Sequence, residues 1–492
     1  MSTDAQRIEL SIVSHTNVGK TTLARTLLGR EVGEVRDEPH VTALAEPYTM
    51  IETVEGDALR LWDTPGFGDS ARLAKRLAQS GNPIGWFLSE VWDRWRDRPF
   101  WSSQQAVKNV REIADVVLYL VNASEDPAHA GYVAPEMQIL DWIGKPVILL
   151  LNQAGPPRPR AEEEAEEARW RAHVAPHGFV RGVLTLDAFA RLWVQEFALL
   201  DAVRDSLPGE QRESFERLAQ AWRTRRFSQF DASMDAMADA LARTACDREV
   251  LDEQGMRARL REVGAALGVG KNAAETAKDR AMQRLAARLE TNLRGATDRL
   301  ISIHGLDGKA AATVLERVSE NFAATEPVGE GKAAVLGGLL SGALSGLAAD
   351  LAAGGLTFGA GLVAGGLLGA LGAAGLARGF NVVRGAKESV VGWSDDFLVG
   401  LVSSQLLTYL AVAHYGRGRG EWREAEHPPF WKDQVAAVLE SRRDTFQAVF
   451  REREDCDVTR LGAMLRSELA AAASELIERL YPGALSVAGA EA

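Results

Sequence analysis

Cysteine is scarce, with two in a chain of 492 residues. Cys246 and Cys456 stand far apart without metal-ligand spacing, which argues against a disulfide framework or a zinc site. Both are expected as buried free thiols of a reducing compartment. Positive charge is short as well. Lys and Arg number 56 against 68 Asp and Glu, a net charge of −12. A general nucleic-acid binder needs a basic face to neutralise phosphate, so nucleic acid is an unexpected partner. The N-terminus lacks an apolar signal region: Met1 to Leu10 carries Asp4, Arg7 and Glu9. The expectation is a chain made and kept in the cytosol.

Hydrophobic content of 46% and charged content of 25% are those of a globular protein. The length calls for two to four domains. The chemistry begins at once. Ile8 to Val13 is an apolar run, Ser14-His15-Thr16-Asn17-Val18-Gly19-Lys20-Thr21-Thr22 follows, and Leu23, Leu27 and Leu28 continue at helical spacing. Strand, Gly-Lys-Thr loop and helix make a phosphate loop. Its backbone N–H groups curl toward phosphate oxygens. Gly19 lets the backbone approach, Lys20 meets the β/γ-phosphates, Thr21 is a Mg²⁺ ligand, and the helix aims its positive end at the anion. Ser14 stands where the usual pattern has its first glycine, a small-for-small replacement.

Thr49 to Val54 and Ala58 to Trp62 read as strands around a Glu55-Gly56-Asp57 turn. The second runs into Asp63-Thr64-Pro65-Gly66. A carboxylate at a strand end can hold the Mg²⁺ shell, and the Gly66 N–H can sense a γ-phosphate. Val116 to Val121 and Val147 to Leu151 are continuous apolar runs, as buried parallel strands require, with a helical pattern from Glu136 to Trp142 between them. The fold class is therefore an α/β domain with a mostly parallel sheet and helices on both faces.

These motifs together resemble the translation-factor-class P-loop GTPases of the Era, TrmE and EngA group, over roughly residues 6 to 195. Thr16 to Thr21 is similar to their first motif and Asp63 to Gly66 to their third. Ile113 to Asn122 resembles the strand that follows, and Gly144-Lys145-Pro146-Val147 leading to Asn152 the approach to the fourth. More narrowly, the layout resembles a bacterial family in which a GTPase domain precedes a helical domain of unknown function. The resemblance implies GTP as ligand or substrate and Mg²⁺ as cofactor. It implies a nucleotide-binding set of Ser14, His15, Thr16, Asn17, Val18, Gly19, Lys20, Thr21, Thr22, Asp63, Gly66, Asn152 and Gln153. Catalytic roles fall to Lys20 and Thr42, and metal roles to Thr21, Thr42 and Asp63. Thr42 is carried over from the switch stretch Glu34 to Thr42; the other reading is an ordinary loop threonine. Asn17 leaves a potassium ion open, as in some members of the group. Two departures stand out. Asn152-Gln153-Ala154-Gly155 has no carboxylate where the family reads guanine, and Phe67 stands where Ras-like enzymes have glutamine. A fifth motif would fall near Thr185 to Phe189.

Gly68 to Arg111 is an insertion holding Trp86, Trp92, Trp95 and Trp101. It is either a lid packed on its own aromatics or a partner surface. Glu162 to Glu167 opens a charged, solvated helix. From Leu207 to Ala324 the pattern is amphipathic and helical, with Phe215, Leu218 and Trp222 on one face and Met282, Leu285 and Leu289 on another. His304 reads as a turn or core residue.

From Ala333 to Ala377 the only charge is Asp350. Gly338, Gly342, Gly346 and again Gly361, Gly365, Gly369 recur at spacing four, which flattens a helix face for close packing. As helices the two halves are about 25 and 40 Å long, against a bilayer core of about 30 Å. A membrane hairpin and a buried soluble hairpin both fit. The expected divisions are a GTPase domain over 1–200 with the insertion at 68–111, a helical domain over 205–330, the glycine-rich hairpin over 331–390 and a helical segment over 391–492. The expected function is a GTP-binding Mg²⁺-dependent switch whose helical part engages a membrane lipid or a protein partner. It would be cytoplasmic, peripheral or hairpin-anchored at the inner membrane. From another class, a protein-interaction adaptor with weak or no hydrolysis is the alternative. The layout also resembles dynamin-like membrane GTPases, in order of parts only.

Overall fold

Arg7–Ser14 (β1) begins the sheet because Ile8, Leu10, Ile12 and Val13 leave almost no surface exposed. In a computed structural model of the chain, residues 5–15, 18–29, 46–78, 97–153, 160–186, 192–251, 273–306, 380–384, 389–414 and 429–485 are described. Two units emerge. One is built on Met1–Ser228, the other on Gln229–Val412 with Ala425–Pro482.

In the first unit, Lys20–Leu28 (α1) follows β1, and Glu46–Glu52 (β2) and Ala58–Asp63 (β3) form the hairpin. Ser70–Ala78 (α2) and Arg98–Ile113 (α3) lead to Val116–Asn122 (β4), Val133–Ile143 (α4) and Val147–Asn152 (β5). Arg160–Val174 (α5), Val180–Thr185 (β6) and Gln195–Ser206 (α6) close the series. The strand order is β2-β3-β1-β4-β5-β6, parallel except for the antiparallel edge strand β2. β4 and β5 are interior strands, and their Val and Leu side chains are covered on both faces. Each such side chain contributes about 1.5–3 kcal/mol of burial, which is why these two runs were continuous rather than alternating.

The β2–β3 turn is where Gly56, at φ +91°, permits a reversal that a side chain would strain. Asp57 beside it is buried. It accepts from the Gln6 N–H at 2.9 Å and from Arg217 Nε at 2.7 Å. Arg217 lies in the first part of Gly209–Cys246 (α7). Burial pushes the Asp57 carboxyl up, but the Arg217 and Gln6 hydrogen bonds outweigh it and hold the group below its ordinary range.

The segment after the third motif is not a separate body at its described ends. Leu73 and Leu77 of α2 and Phe100, Val107 and Val110 of α3 pack into the same core as β4. Asp97 caps α3 by accepting from the Phe100 N–H at 3.2 Å. Trp101 sits half-buried on α3; Trp86, Trp92 and Trp95 lie outside the described residues. The charged helix α5 is solvated along most of its length, yet it buries Trp170 and Glu166.

In the second unit, Ala273–Ile303 (α8), Asp395–Ala413 (α9), Pro429–Arg451 (α10) and Val458–Leu480 (α11) join the latter part of α7. Arg248–Leu251 (β7), Phe380–Arg384 (β8) and Ser389–Trp393 (β9) add a small antiparallel sheet in the order β7-β9-β8, which the sequence pattern did not suggest. α9 is the core helix. It is long and apolar enough to cross a membrane, but 78% of that stretch is buried. Apolar residues all round a helix are what such burial demands. Phe215, Leu218, Trp222, Met282, Leu285 and Leu289 are all buried as their periodicity indicated. His304 lies in a turn, its Nε2 3.3 Å from the Ser233 hydroxyl. The cysteines differ from expectation: both are free, but half-buried rather than buried. Burial, and next the nearby Cys456, push the Cys246 thiol up. The apolar stretch from Ala333 to Ala377 lies outside the described residues.

Candidate functional site

The loop after β1 turns into α1 at Gly19, whose φ is +94°. A side chain there would be strained, and space forbids it as well: a Cβ would stand 2.8 Å from Asn152 Nδ2. That amide is not idle. It donates to the Val18 carbonyl at 2.6 Å. The end of β5 is thereby fastened to the loop after β1, two strands away. Gln153 follows in the left-handed region at φ +56°, which costs a non-glycine residue about 1–2 kcal/mol. Its Nε2 comes within 3.9 Å of the same Gly19 Cβ position.

Lys20 is buried at the first turn of α1. Its Nζ donates to the Ser14 hydroxyl at 3.0 Å and to the His15 carbonyl at 3.4 Å. Burial lowers the Lys20 ammonium, while Asp63 and then Glu136 oppose that shift. The Ser14 hydroxyl itself donates to the His15 carbonyl. One residue on, the Thr21 hydroxyl donates to Asp63 Oδ2 at 2.7 Å. β3 therefore delivers its terminal carboxylate to the start of α1, as the two motifs required. Thr22 is buried inside α1, and its carbonyl accepts from Thr26 at 2.9 Å.

The Asp63-Thr64-Pro65-Gly66 segment is fastened along its length. Thr64 Oγ1 donates to the Ile12 carbonyl at 2.6 Å, Ser103 Oγ to the Gly66 carbonyl at 3.2 Å, and the Phe67 N–H to the Ser14 carbonyl at 3.1 Å. Phe67 is buried. Its place in the core gives it a packing role where Ras-like enzymes carry an amide.

The structure thus brings Ser14, His15, Val18, Gly19, Lys20, Thr21, Asp63, Asn152 and Gln153 to the ends of β1, β3 and β5. These are the carboxyl ends of the parallel strands, where open α/β domains bind ligands. Thr16, Asn17, Thr42 and Gly155 lie outside the described residues. Asn152 reaches the loop backbone from the end of β5. Sequence reasoning read Glu136 only as the start of a helical pattern and missed its role. It is buried on α4, with its carboxylate 2.8 Å from His15 Nδ1 and accepting from the Tyr119 hydroxyl at 2.7 Å. A buried acid inside an apolar helical stretch was the available signal.

The chemical fit to a divalent cation can be tested on these atoms. A hydroxyl and a carboxylate in mutual contact are a hard oxygen pair, the donor set Mg²⁺ takes when it binds through one or two protein groups plus phosphate. Thr21 and Asp63 fit that requirement.

Residues 9–153 match the family model described as 50S ribosome-binding GTPase, and residues 179–480 match the domain of unknown function DUF3482. GTPase Era from Geobacter metallireducens is 27% identical over 147 residues, 29% of this chain. The match spans about two fifths, 39%, of that relative's length. Among solved structures, Era in complex with MgGDPNP and part of the 16S ribosomal RNA overlays at a TM-score of 0.31 and 16% identity, covering 61% of this chain and 90% of that one. An Aquifex aeolicus Era variant bound to GDP.AlF4- overlays at 0.29 and 16%, covering 58% and 88%.

Proposed function

Since this chain belongs to the family of the domain of unknown function DUF3482 and opens with an Era-like P-loop GTPase domain, we propose that it is a Mg²⁺-dependent GTPase acting as a nucleotide switch. Binding of guanine nucleotide follows from the domain itself; hydrolysis, switching and the partner are the proposal. The observation that carries it is the Thr21–Asp63 contact at 2.7 Å, with Lys20 held beside it. It supports Thr21 and Asp63 as the groups that hold Mg²⁺ directly or through water, with Thr42 completing the set. Mg²⁺, when bound, would neutralise charge on the β- and γ-phosphates. Lys20 and the loop N–H groups stabilise charge on the γ-phosphate while water attacks in line. Gly66 carries the γ-phosphate signal toward α3 through Ser103. Asn152 holds the loop in shape from β5, and Gln153 flanks it. Potassium at Asn17 belongs to the proposal as an accessory ion.

The helical region is the part that engages a membrane or a protein partner. Support comes from the glycine-spaced apolar stretch of Ala333 to Ala377. The adaptor reading keeps one supporting observation, the missing carboxylate at Gly155. Titration of the full chain with GTP, GDP and ATP, with and without Mg²⁺, tests both. Lys20→Ala should weaken GTP and GDP binding at least tenfold, about 1.4 kcal/mol. Unchanged binding in a folded variant overturns the proposal.

A further inference from the structure

Glu136 lies behind the phosphate loop with both carboxylate oxygens engaged. Oε1 is 2.8 Å from His15 Nδ1, and Oε2 accepts from the Tyr119 hydroxyl at 2.7 Å. The first partner is in the loop and the second on the central strand β4. The other side of the imidazole is covered by Tyr132, stacked at 4.5 Å between ring centres and 18° between planes. His15 is thus gripped by a ring and a carboxylate, both supplied by the segment that opens α4. His15 in turn presents the carbonyl on which the Lys20 ammonium and the Ser14 hydroxyl rest.

A buried carboxylate is costly unless its lone pairs are satisfied. Burial holds Glu136 above the usual carboxylate range, and the His15 and Tyr119 hydrogen bonds draw it back down. Burial likewise keeps both the Tyr119 and Tyr132 phenols protonated, so Tyr119 remains a donor. The charged groups felt by the cluster are Lys20 on α1 and Glu125 in the loop after β4. An acid this expensive to bury, aimed at the one loop that must keep its shape, has a task there.

We propose that Glu136 is a positioning residue for the phosphate loop. By holding the His15 imidazole against β4 and α4, it fixes the His15 carbonyl and the Ser14 hydroxyl, and through them the Lys20 ammonium, in the shape that receives nucleotide phosphates. The inference rests on the GTP-binding reading of the domain and adds a residue 121 positions away from the loop it shapes.

The test is release of a fluorescent GDP analogue from the full chain, with far-UV circular dichroism to check folding. Glu136→Ala leaves the imidazole and the Tyr119 hydroxyl without their shared acceptor and should speed release at least about tenfold. Glu136→Gln can accept from Tyr119 and pair its amide with the other imidazole tautomer, so release should return to within about threefold of wild type. His15→Ala removes the same link from the loop side and should also speed release at least about tenfold, which keeps the test decisive if Glu136→Ala fails to fold. A folded Glu136→Ala or His15→Ala that retains GDP as wild type does overturns the inference. So does Glu136→Gln as impaired as Glu136→Ala, since placement by hydrogen bonds would then not be the cause. A wild type that binds neither GDP nor GTP removes the nucleotide reading and this inference together; wild-type binding with unchanged variants removes this inference alone.

Discussion

Replacing Gly19 by alanine probes the junction at which two distant strands meet. The backbone there has φ +94°, and moving an L-residue into that region costs about 1–2 kcal/mol. The new Cβ would stand 2.8 Å from Asn152 Nδ2. A side-chain end can often swing aside cheaply, but this one donates to the Val18 carbonyl at 2.6 Å and is fully buried. Displacing it leaves a buried donor and acceptor unpaired, which costs about 1–3 kcal/mol. Together the two effects come to about 2–5 kcal/mol. If the loop gives way, nucleotide affinity falls by at least about thirtyfold. If it holds, the strain appears as a melting point lower by about 4–20 °C for a unit of this size. Calorimetric titration with GDP and a thermal melt on the same sample read both. Asn152→Ala in the Gly19→Ala background removes the clash but not the φ strain, so the double variant should lose less than the sum of the singles. Unchanged affinity and melting in Gly19→Ala, or strict additivity, would refute the reasoning.

Asp57→Asn should cost about 1.5–3 kcal/mol, because the charged bond from Arg217 is lost. The Asp57 carboxyl is held below its ordinary value, so its stabilisation is present above the ordinary carboxylate range and lost as pH falls through the folded value. Urea midpoints across pH 2–6 should show a shallower acid loss in the variant, and parallel curves would count against the pairing. Gly155→Asp should sharpen preference for GTP over ATP, read by competition binding; strong wild-type selectivity would mean that another group reads the base. Leu368→Arg should abolish flotation of the chain with liposomes if the apolar stretch enters a bilayer, since a central charge costs about 2.5–3.5 kcal/mol there. A folded wild type that never floats would end the membrane proposal.

Much of the first unit could be read directly because its chemistry is local in sequence. Short continuous apolar runs of five or six residues fit strands covered on both faces, and β4 and β5 are that. Gly-Lys-Thr and Asp-Thr-Pro-Gly each carry their own spacing, so the meeting of Thr21 with Asp63 was foreseeable. What the sequence could not reveal were pairings set by the fold alone. Glu136 and His15 meet across 121 positions with no pattern linking them. Asp57 looked like a turn residue and is the acceptor for a helix 160 positions on. β7 and β9 pair across more than a hundred residues, with strands of four and five residues too short to leave a periodic signal. The bond from the Asn152 amide to the Val18 carbonyl likewise spans 134 positions with no pattern to announce it.

The fastening of the third motif carries a consequence for time. Gly66 is gripped by Ser103 from α3, and its neighbour Phe67 by Ser14 from the loop. Displacing the segment breaks both bonds before anything new is gained. At about 1 kcal/mol net for each, the barrier to displacement rises by about 2 kcal/mol, and the rate falls about thirtyfold. In the proposed switch such a segment would be a slow timer: its dwell would be set by two hydrogen bonds at the carboxyl ends of the strands, and Ser103→Ala should shorten it without touching a phosphate.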